Sequence, residues 1–352
     1  MKQKTIKKFA LLVCGLLLFV IGCKWGKSPT QDELQPGKLY VDIYDSTKAY
    51  NGTTLLPDKH DLNRPRVIEV NMQGEVVWEY VLPDSLKEYI NPGFDAELLS
   101  NNNILVLLPR YGIIEIDRNG NILWTYLDKK ISHDADRLPN GNTIYVFGAN
   151  DKKGDAQVKE VNPQGQIIWK WYAREHFDVT PYDTIFWSGW THTNAVIRKD
   201  NGNTLISLRN FHFIAEVDPQ GNVINTIGEG ICYAPHDPSL LSNGNILISS
   251  CKPEPGWEAD PSAYVPVIEV NPQTGAIVWQ YDDTDWYNNQ GTRDADRLPN
   301  GNTLITGSNQ IIEVTPSGEI VWRLNLEMSF ATGAEAAEKG FYKAERISAS
   351  AQ

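Results

Sequence analysis

At 352 residues, 41% of them hydrophobic, the chain is long enough to bury one large core. Its net charge of −12 excludes a nucleic-acid binder, whose target phosphates need a basic surface. The 11 Trp, 27 Gly and 20 Pro suit a fold of many short strands joined by tight turns.

In chain order, Lys2, Lys4, Lys7 and Lys8 precede an apolar stretch from Phe9 to Ile21, too short to span a bilayer well, and Val20-Ile-Gly-Cys23 ends it. This reads as a signal peptide over residues 1–22 with a lipobox-like terminus. The expectation is a lipoprotein of the bacterial cell envelope, exported to the periplasm or cell surface and membrane-bound through lipid on Cys23, with 23–37 as its lipidated start and tether. Cys14 leaves with the signal, so Cys232 and Cys251 remain. Outside the cytoplasm such a pair is expected to form a disulfide, the alternative being free or metal-binding thiols.

Beyond this tether the sequence repeats roughly every 35–45 residues, the period of propellers and solenoids. One unit reads Asp-Ala-Asp-Arg-Leu-Pro-Asn-Gly-Asn-Thr, an apolar strand, then Ile-Glu-Val-x-Pro-x-Gly-x-Ile-x-Trp. Asn140-Gly141, Asn201-Gly202, Asn243-Gly244 and Asn300-Gly301 predict tight hairpin turns with both central residues at positive φ. A second turn follows each Glu-Val or its equivalent, as at Asn71–Gly74, Asp117–Gly120 and Asn162–Gly165. Each unit therefore holds four strands in two hairpins. Trp78, Trp124, Trp169, Trp279 and Trp322 recur on the fourth strand, with Asn225 in the fourth unit, and are expected to pack blade against blade. The unit from Lys38 to Tyr80 lacks a first-strand motif, whereas Lys343-Ala-Glu-Arg-Ile347 is a first-strand motif without later strands. Joining them gives the expected fold: an all-β, six-bladed β-propeller of four-stranded blades over residues 38–352, closed by a C-terminal first strand in the N-terminal blade.

Six segments align at the starts of the first strands: Phe94-Asp-Ala-Glu, His133-Asp-Ala-Asp, His192-Thr-Asn-Ala, His236-Asp-Pro-Ser, Arg293-Asp-Ala-Asp and Tyr342-Lys-Ala-Glu. First strands line a propeller's channel, so these starts meet at one mouth. The long insertions Ala173–Thr191, Lys252–Pro266 and Asp282–Thr292 open there too, which places the site on that face. His133, His192 and His236 converge on it, joined by Arg209 at the end of a second strand. Three imidazoles and a guanidinium make a cationic pocket suited to a small tetrahedral oxyanion, and histidine adds a nucleophile, acid or base. Phe94, Arg293 and Tyr342 are expected to complete the wall. Phe177, Tyr182, Phe186, Trp187 and Trp190 form either a platform for a planar substrate or a cover over blade four. His60, His176 and His212 are read as incidental, the last two able to border the mouth.

Trp190-Thr-His192-Thr-Asn194, Asn201-Gly-Asn-Thr-Leu-Ile-Ser-Leu-Arg209 and Ile214-Ala-Glu-Val-Asp218 together resemble the bacterial arylsulfotransferases, six-bladed periplasmic enzymes that move a sulfuryl group between phenols without PAPS. The resemblance covers about residues 38–347. It implies His236 as a nucleophile that becomes a transient sulfohistidine, His192 and Arg209 as holders of the sulfuryl oxygens, and His133 as the residue that completes the pocket and aids proton transfer. Asn194, Trp187, Trp190, Arg293, Tyr342 and Phe94 then surround the substrate. It further implies ping-pong transfer from a small aromatic sulfate to a phenolic acceptor, with no metal and no nucleotide cofactor. Three features depart from the family. Cys251 follows His236 where the family disulfide precedes its nucleophile, Asp237-Pro238 follows His236, and the chain has no room for the N-terminal β-sandwich of larger members. The rival expectations are a non-catalytic propeller that binds a ligand or protein at the same mouth, a three-histidine Zn²⁺ or Fe²⁺ enzyme, which Arg209 disfavours, and a quinone-cofactor dehydrogenase.

Overall fold

A hairpin turn shows how local chemistry builds this molecule. In Leu138-Pro139-Asn140-Gly141-Asn142, the Gly141 N–H donates to Leu138 O at 2.9 Å and the Leu138 N–H to Asn142 O at 2.8 Å. Of these five residues Gly141 alone has positive φ, at 85°. Proline fixes a negative φ within the turn, so the hairpin is a type I turn followed by a left-handed glycine, and not the expected turn with two positive φ values. The Asn140 side chain closes it by accepting from the Asn142 N–H at 3.0 Å.

The structure, a computed structural model, describes residues 37–250, 267–283, 291–328 and 338–349. The signal peptide, Cys23, Cys251, the Lys252–Pro266 insertion and most of Asp282–Thr292 lie outside the described residues. The chain forms six antiparallel sheets arranged as a six-bladed β-propeller. Blade two, for example, runs outward through Asp95–Leu98, Ile104–Leu108, Gly112–Ile116 and Ile122–Leu127. Its middle strands are wholly buried while the outermost alternates with exposed positions, as a strand with one solvated face does. Apolar clusters fill the spaces between blades. Leu55 and Val67 of blade one, for instance, meet Ile104, Val106 and Ile114 of blade two.

The ring closes as expected at one edge: Glu345–Ser348 pairs with Gly52–Asp58 as the innermost strand of blade one. A second closure was not foreseen. Leu39–Tyr44, expected within blade one, instead pairs with Ile320–Leu326 as a fifth, outermost strand of blade six. The two strands flanking one loop thus belong to different blades. The recurrent tryptophans also link blades: Trp78 Nε1 donates to Arg118 O at 2.8 Å, Trp124 to Pro163 O at 2.9 Å, Trp279 to Pro316 O at 2.8 Å and Trp322 to Met72 O at 3.0 Å. Asn225 makes the equivalent bond to Pro272 O at 2.9 Å, which explains why an amide substitutes for an indole there.

Candidate active site

A cavity of about 530 Å³ opens at the expected mouth, and His133, His192, His236, Arg209, Arg293 and Tyr342 all line it. Strand geometry alone would send His133 and the next residue, Asp134, to opposite faces. His133 and His192 instead take positive φ values of 73° and 48°, a left-handed kink at the strand start. The kink brings the imidazole to the mouth while Asp134 faces the channel below it. The His133 and His192 rings meet edge to face with centroids 4.8 Å apart. Arg209 follows the second strand of blade four, Thr204–Leu208, in a short 3-10 turn, where its guanidinium donates to Asn210 Oδ1 at 2.9 Å.

Hydrogen bonds assign the imidazole tautomers. His236 Nδ1 lies 2.9 Å from Ala234 O, so that nitrogen carries the proton, and Nε2 lies 3.2 Å from Arg293 Nη1, a group that only donates. Nε2 therefore holds a lone pair. His192 Nδ1 donates likewise to Ser188 O at 2.9 Å. His133 is the opposite. Ser132 Oγ accepts from the Gly148 and Ala149 N–H groups at 3.1 and 3.2 Å, so its own proton goes to His133 Nδ1 at 2.8 Å, leaving His133 with an Nε2–H donor.

Burial, reinforced by the neighbouring cations, holds His133 and His236 well below the usual histidine range and His192 at about 3. The three imidazoles are thus neutral at pH 7, and the pocket's positive charge comes from Arg209, Arg293 and a residue that sequence reasoning missed, Lys59. Lys59 is 3% exposed, lines the cavity and donates to Asn91 Oδ1 at 2.5 Å. Burial, aided by Arg293 and opposed by Glu338, brings its ammonium down to about 7. Its signal in the sequence was positional: Lys59 directly follows the second strand of blade one as Arg209 follows that of blade four.

Several expected contacts are corrected. Phe94 is fully buried among Leu82, Leu86 and Ile90 and does not line the cavity; an apolar ring gains more there than beside three cations. Trp190 is 0% exposed and packs on Phe211, with its indole N–H on Tyr182 O at 2.6 Å, so it covers blade four, whereas Trp187 is 88% exposed and lines the mouth. Asn194 does not reach the cavity either. Its Nδ2 donates to Pro235 O at 2.8 Å, as Ser207 Oγ does at 2.8 Å, which fixes the residue before His236. Cys232 is a buried thiol whose sulfur is directed to His212 O at 3.3 Å; Cys251, its expected disulfide partner, lies outside the described residues. His60 pairs with Asp58 and His176 stacks on Trp171. His212 does border the mouth: with Arg209, Phe186, Trp187 and Tyr233 it lines a side cavity of about 90 Å³.

Beneath the histidines lies a second feature the repeat had concealed. The next channel-facing positions are Asp95, Asp134, Asp237 and Asp294, then Glu97, Asp136, Asp296 and Glu345, lining a cavity of about 380 Å³. Lys343 Nζ sits 3.2, 2.5 and 2.8 Å from Asp95, Asp134 and Asp237. Among the described residues, no three His, Cys, Asp or Glu side chains are placed to hold a metal ion.

A protein of unknown function from Bacteroides caccae superposes with a TM-score of 0.54 at 19% identity, covering 78% of this chain and 94% of that one. A streptogramin B lyase gives 0.51 at 11% identity over 85% and 89%, and virginiamycin B lyase from Staphylococcus aureus gives 0.50 at 12% over 86% and 91%. At these identities the likeness is one of fold alone. No curated protein matches the sequence. The model of the family Arylsulfotransferase (ASST) matches residues 73–231, the segment that carries His133, His192 and Arg209. Through that segment, set in a six-bladed β-propeller, the chain is similar to the arylsulfotransferase family.

Proposed function

We propose that the protein moves a sulfuryl group from an aryl sulfate to a phenolic acceptor through His236. The observation that carries this reading is the orientation of His236, whose Nδ1–H is held by Ala234 O while Nε2 keeps a lone pair at a cavity wall shared with Arg209 and Arg293. In the first half-reaction Nε2 attacks sulfur. An N–S bond forms, the S–O bond to the aryl group breaks, and the phenolate leaves with that electron pair, taking a proton from the Lys59 ammonium. In the second, neutral Lys59 takes the acceptor's proton, the phenolate oxygen attacks sulfur, and the N–S pair returns to Nε2. One residue poised near pH 7 thus balances both half-reactions.

Donors at the cavity wall stabilise the transferring sulfuryl oxygens: Arg209, Arg293 and the Nε2–H of His133. His192 presents a lone pair and suits the acceptor hydroxyl better than a sulfuryl oxygen, which alters the role that resemblance implied for it. The aryl ring fits against Trp187, with the small cavity between Phe186 and Tyr233 beside Arg209. Residues 1–22 are proposed to direct export and Cys23 to carry the lipid; fatty-acid labelling that persists in Cys23→Ala would remove that part.

The central test incubates the purified protein with 4-nitrophenyl sulfate, with and without phenol. Acceptor-dependent release of nitrophenolate, lost in His236→Ala, is expected, and donor alone adds the mass of one sulfuryl group to the His236 peptide. No turnover across a broad donor panel by folded protein would leave a non-catalytic binder at this mouth.

A further inference from the structure

The contact between Arg293 and His236 presents a problem for any nucleophilic role. The lone pair that must attack is already engaged by a cationic donor at 3.2 Å, and an engaged lone pair is a poor nucleophile. The backbone of Arg293 is fixed, its N–H donating to Thr306 O at 2.9 Å, so relief must come from the side chain. Arg293 also lines the cavity. A sulfate monoester brings three charged oxygens there, and a guanidinium bonds an oxyanion more strongly than a neutral imidazole nitrogen.

We infer that Arg293 guards the nucleophile: it caps the Nε2 lone pair of His236 until an anionic sulfate ester takes the guanidinium over, so that attack is coupled to donor binding. This deepens the sulfuryl-transfer reading and rests on it for its biological use. As the ester enters, the hydrogen bond passes from Nε2 to a sulfuryl oxygen. The same movement frees the electron pair for the N–S bond and places positive charge where negative charge gathers as the S–O bond breaks. His192 needs no such guard, because its lone pair is not the one placed against a guanidinium by a described hydrogen bond.

The test uses no sulfate ester, so it is separate from the test of transfer. The full-length protein is treated with diethyl pyrocarbonate, which acylates neutral imidazoles, and modification is mapped by peptide mass spectrometry at His133, His192 and His236. Arg293→Met is expected to speed modification of His236 by about tenfold, the scale of one charged hydrogen bond, with His133 and His192 unchanged as internal references. Arg293→Lys, which keeps the charge without the fork, gives an intermediate rate and serves alone if thermal unfolding shows that Arg293→Met has lost its fold. An unchanged His236 rate, or a rise shared by all three histidines, overturns the proposal. A confined rise in a protein that shows no sulfuryl transfer keeps the guard and removes the transfer reading.

Discussion

Lys343 Nζ lies 2.5 Å from Asp134 Oδ1, joining the strand that closes the ring to the residue that follows His133. The same ammonium reaches Asp237, the residue after His236, at 2.8 Å. One buried cation thus ties together two of the histidine-bearing strands, and the carboxylates raise its pKa well above the usual lysine range in spite of burial. Lys343→Met is expected to cost about 3–5 kcal/mol, the penalty for leaving buried carboxylates without their partner. Chemical denaturation measures it; a loss within about 0.5 kcal/mol, the range of an ordinary surface change, would mean that the carboxylates do not depend on it.

The channel carboxylates set a pH dependence. Burial, above all, raises Glu97 to about 8 and Glu345 to about 7, against about 4.3 for a free glutamate. Between these values the folded state keeps a proton that the unfolded chain has released. Their contribution to stability is therefore present in full below about pH 4 and lost as pH climbs through the folded value. Glu97→Gln and Glu345→Gln need no proton, so the Tm of each variant relative to wild type should rise from about pH 4.3 up to the folded value, about 8 for Glu97 and about 7 for Glu345, and level off above it. Parallel Tm curves across that range would show that the glutamates ionise freely in the fold.

Two neighbouring tryptophans should separate substrate contact from packing. Trp187→Ala removes an exposed ring at the mouth and is expected to raise KM for aryl substrates while stability stays within about 0.5 kcal/mol. Trp190→Ala opens the core beneath it and should cost about 3–5 kcal/mol. Steady-state kinetics beside thermal unfolding tell the two apart.

Lys59 should be read through the leaving group. Lys59→Met is expected to slow transfer from phenyl sulfate by about 10²–10⁴-fold, the usual contribution of a placed acid or base, and to affect 4-nitrophenyl sulfate far less, since nitrophenolate departs without a proton. The slope of rate against leaving-group pKa measures this. An identical slope in wild type and variant would remove Lys59 from proton transfer.

The period, the blade number and the inner closure were legible because each unit repeats the same turn chemistry, visible at Gly141 and Gly301. The destination of Leu39–Tyr44 was not, since pairing with Arg323 and Leu324 of blade six is decided by the other end of the chain. At the site, His133, His192, His236, Arg209, Arg293 and Tyr342 were read correctly as one mouth. Phe94 was not, because alignment gives position along a strand and not which way an apolar ring turns when a core is offered. Lys59 lacked any motif of its own; only its place after a second strand marked it. Protonation states lay beyond the sequence as well, since they follow from Ala234 O, Ser188 O and Ser132 Oγ, which only the fold brings to the rings.

The closing strand has a consequence for the order of assembly. Tyr342 reaches the mouth and Lys343 the channel beneath it on a segment that pairs with residues almost three hundred positions earlier, such as Thr53 with Ile347, and contacts that distant form late because their loop-closure entropy must be met first. A chain still being made already holds His133, His192 and His236 yet lacks the cation that ties two of their strands together. Late pairing of this strand therefore completes the pocket, so that reactive histidines and a finished ring arrive together.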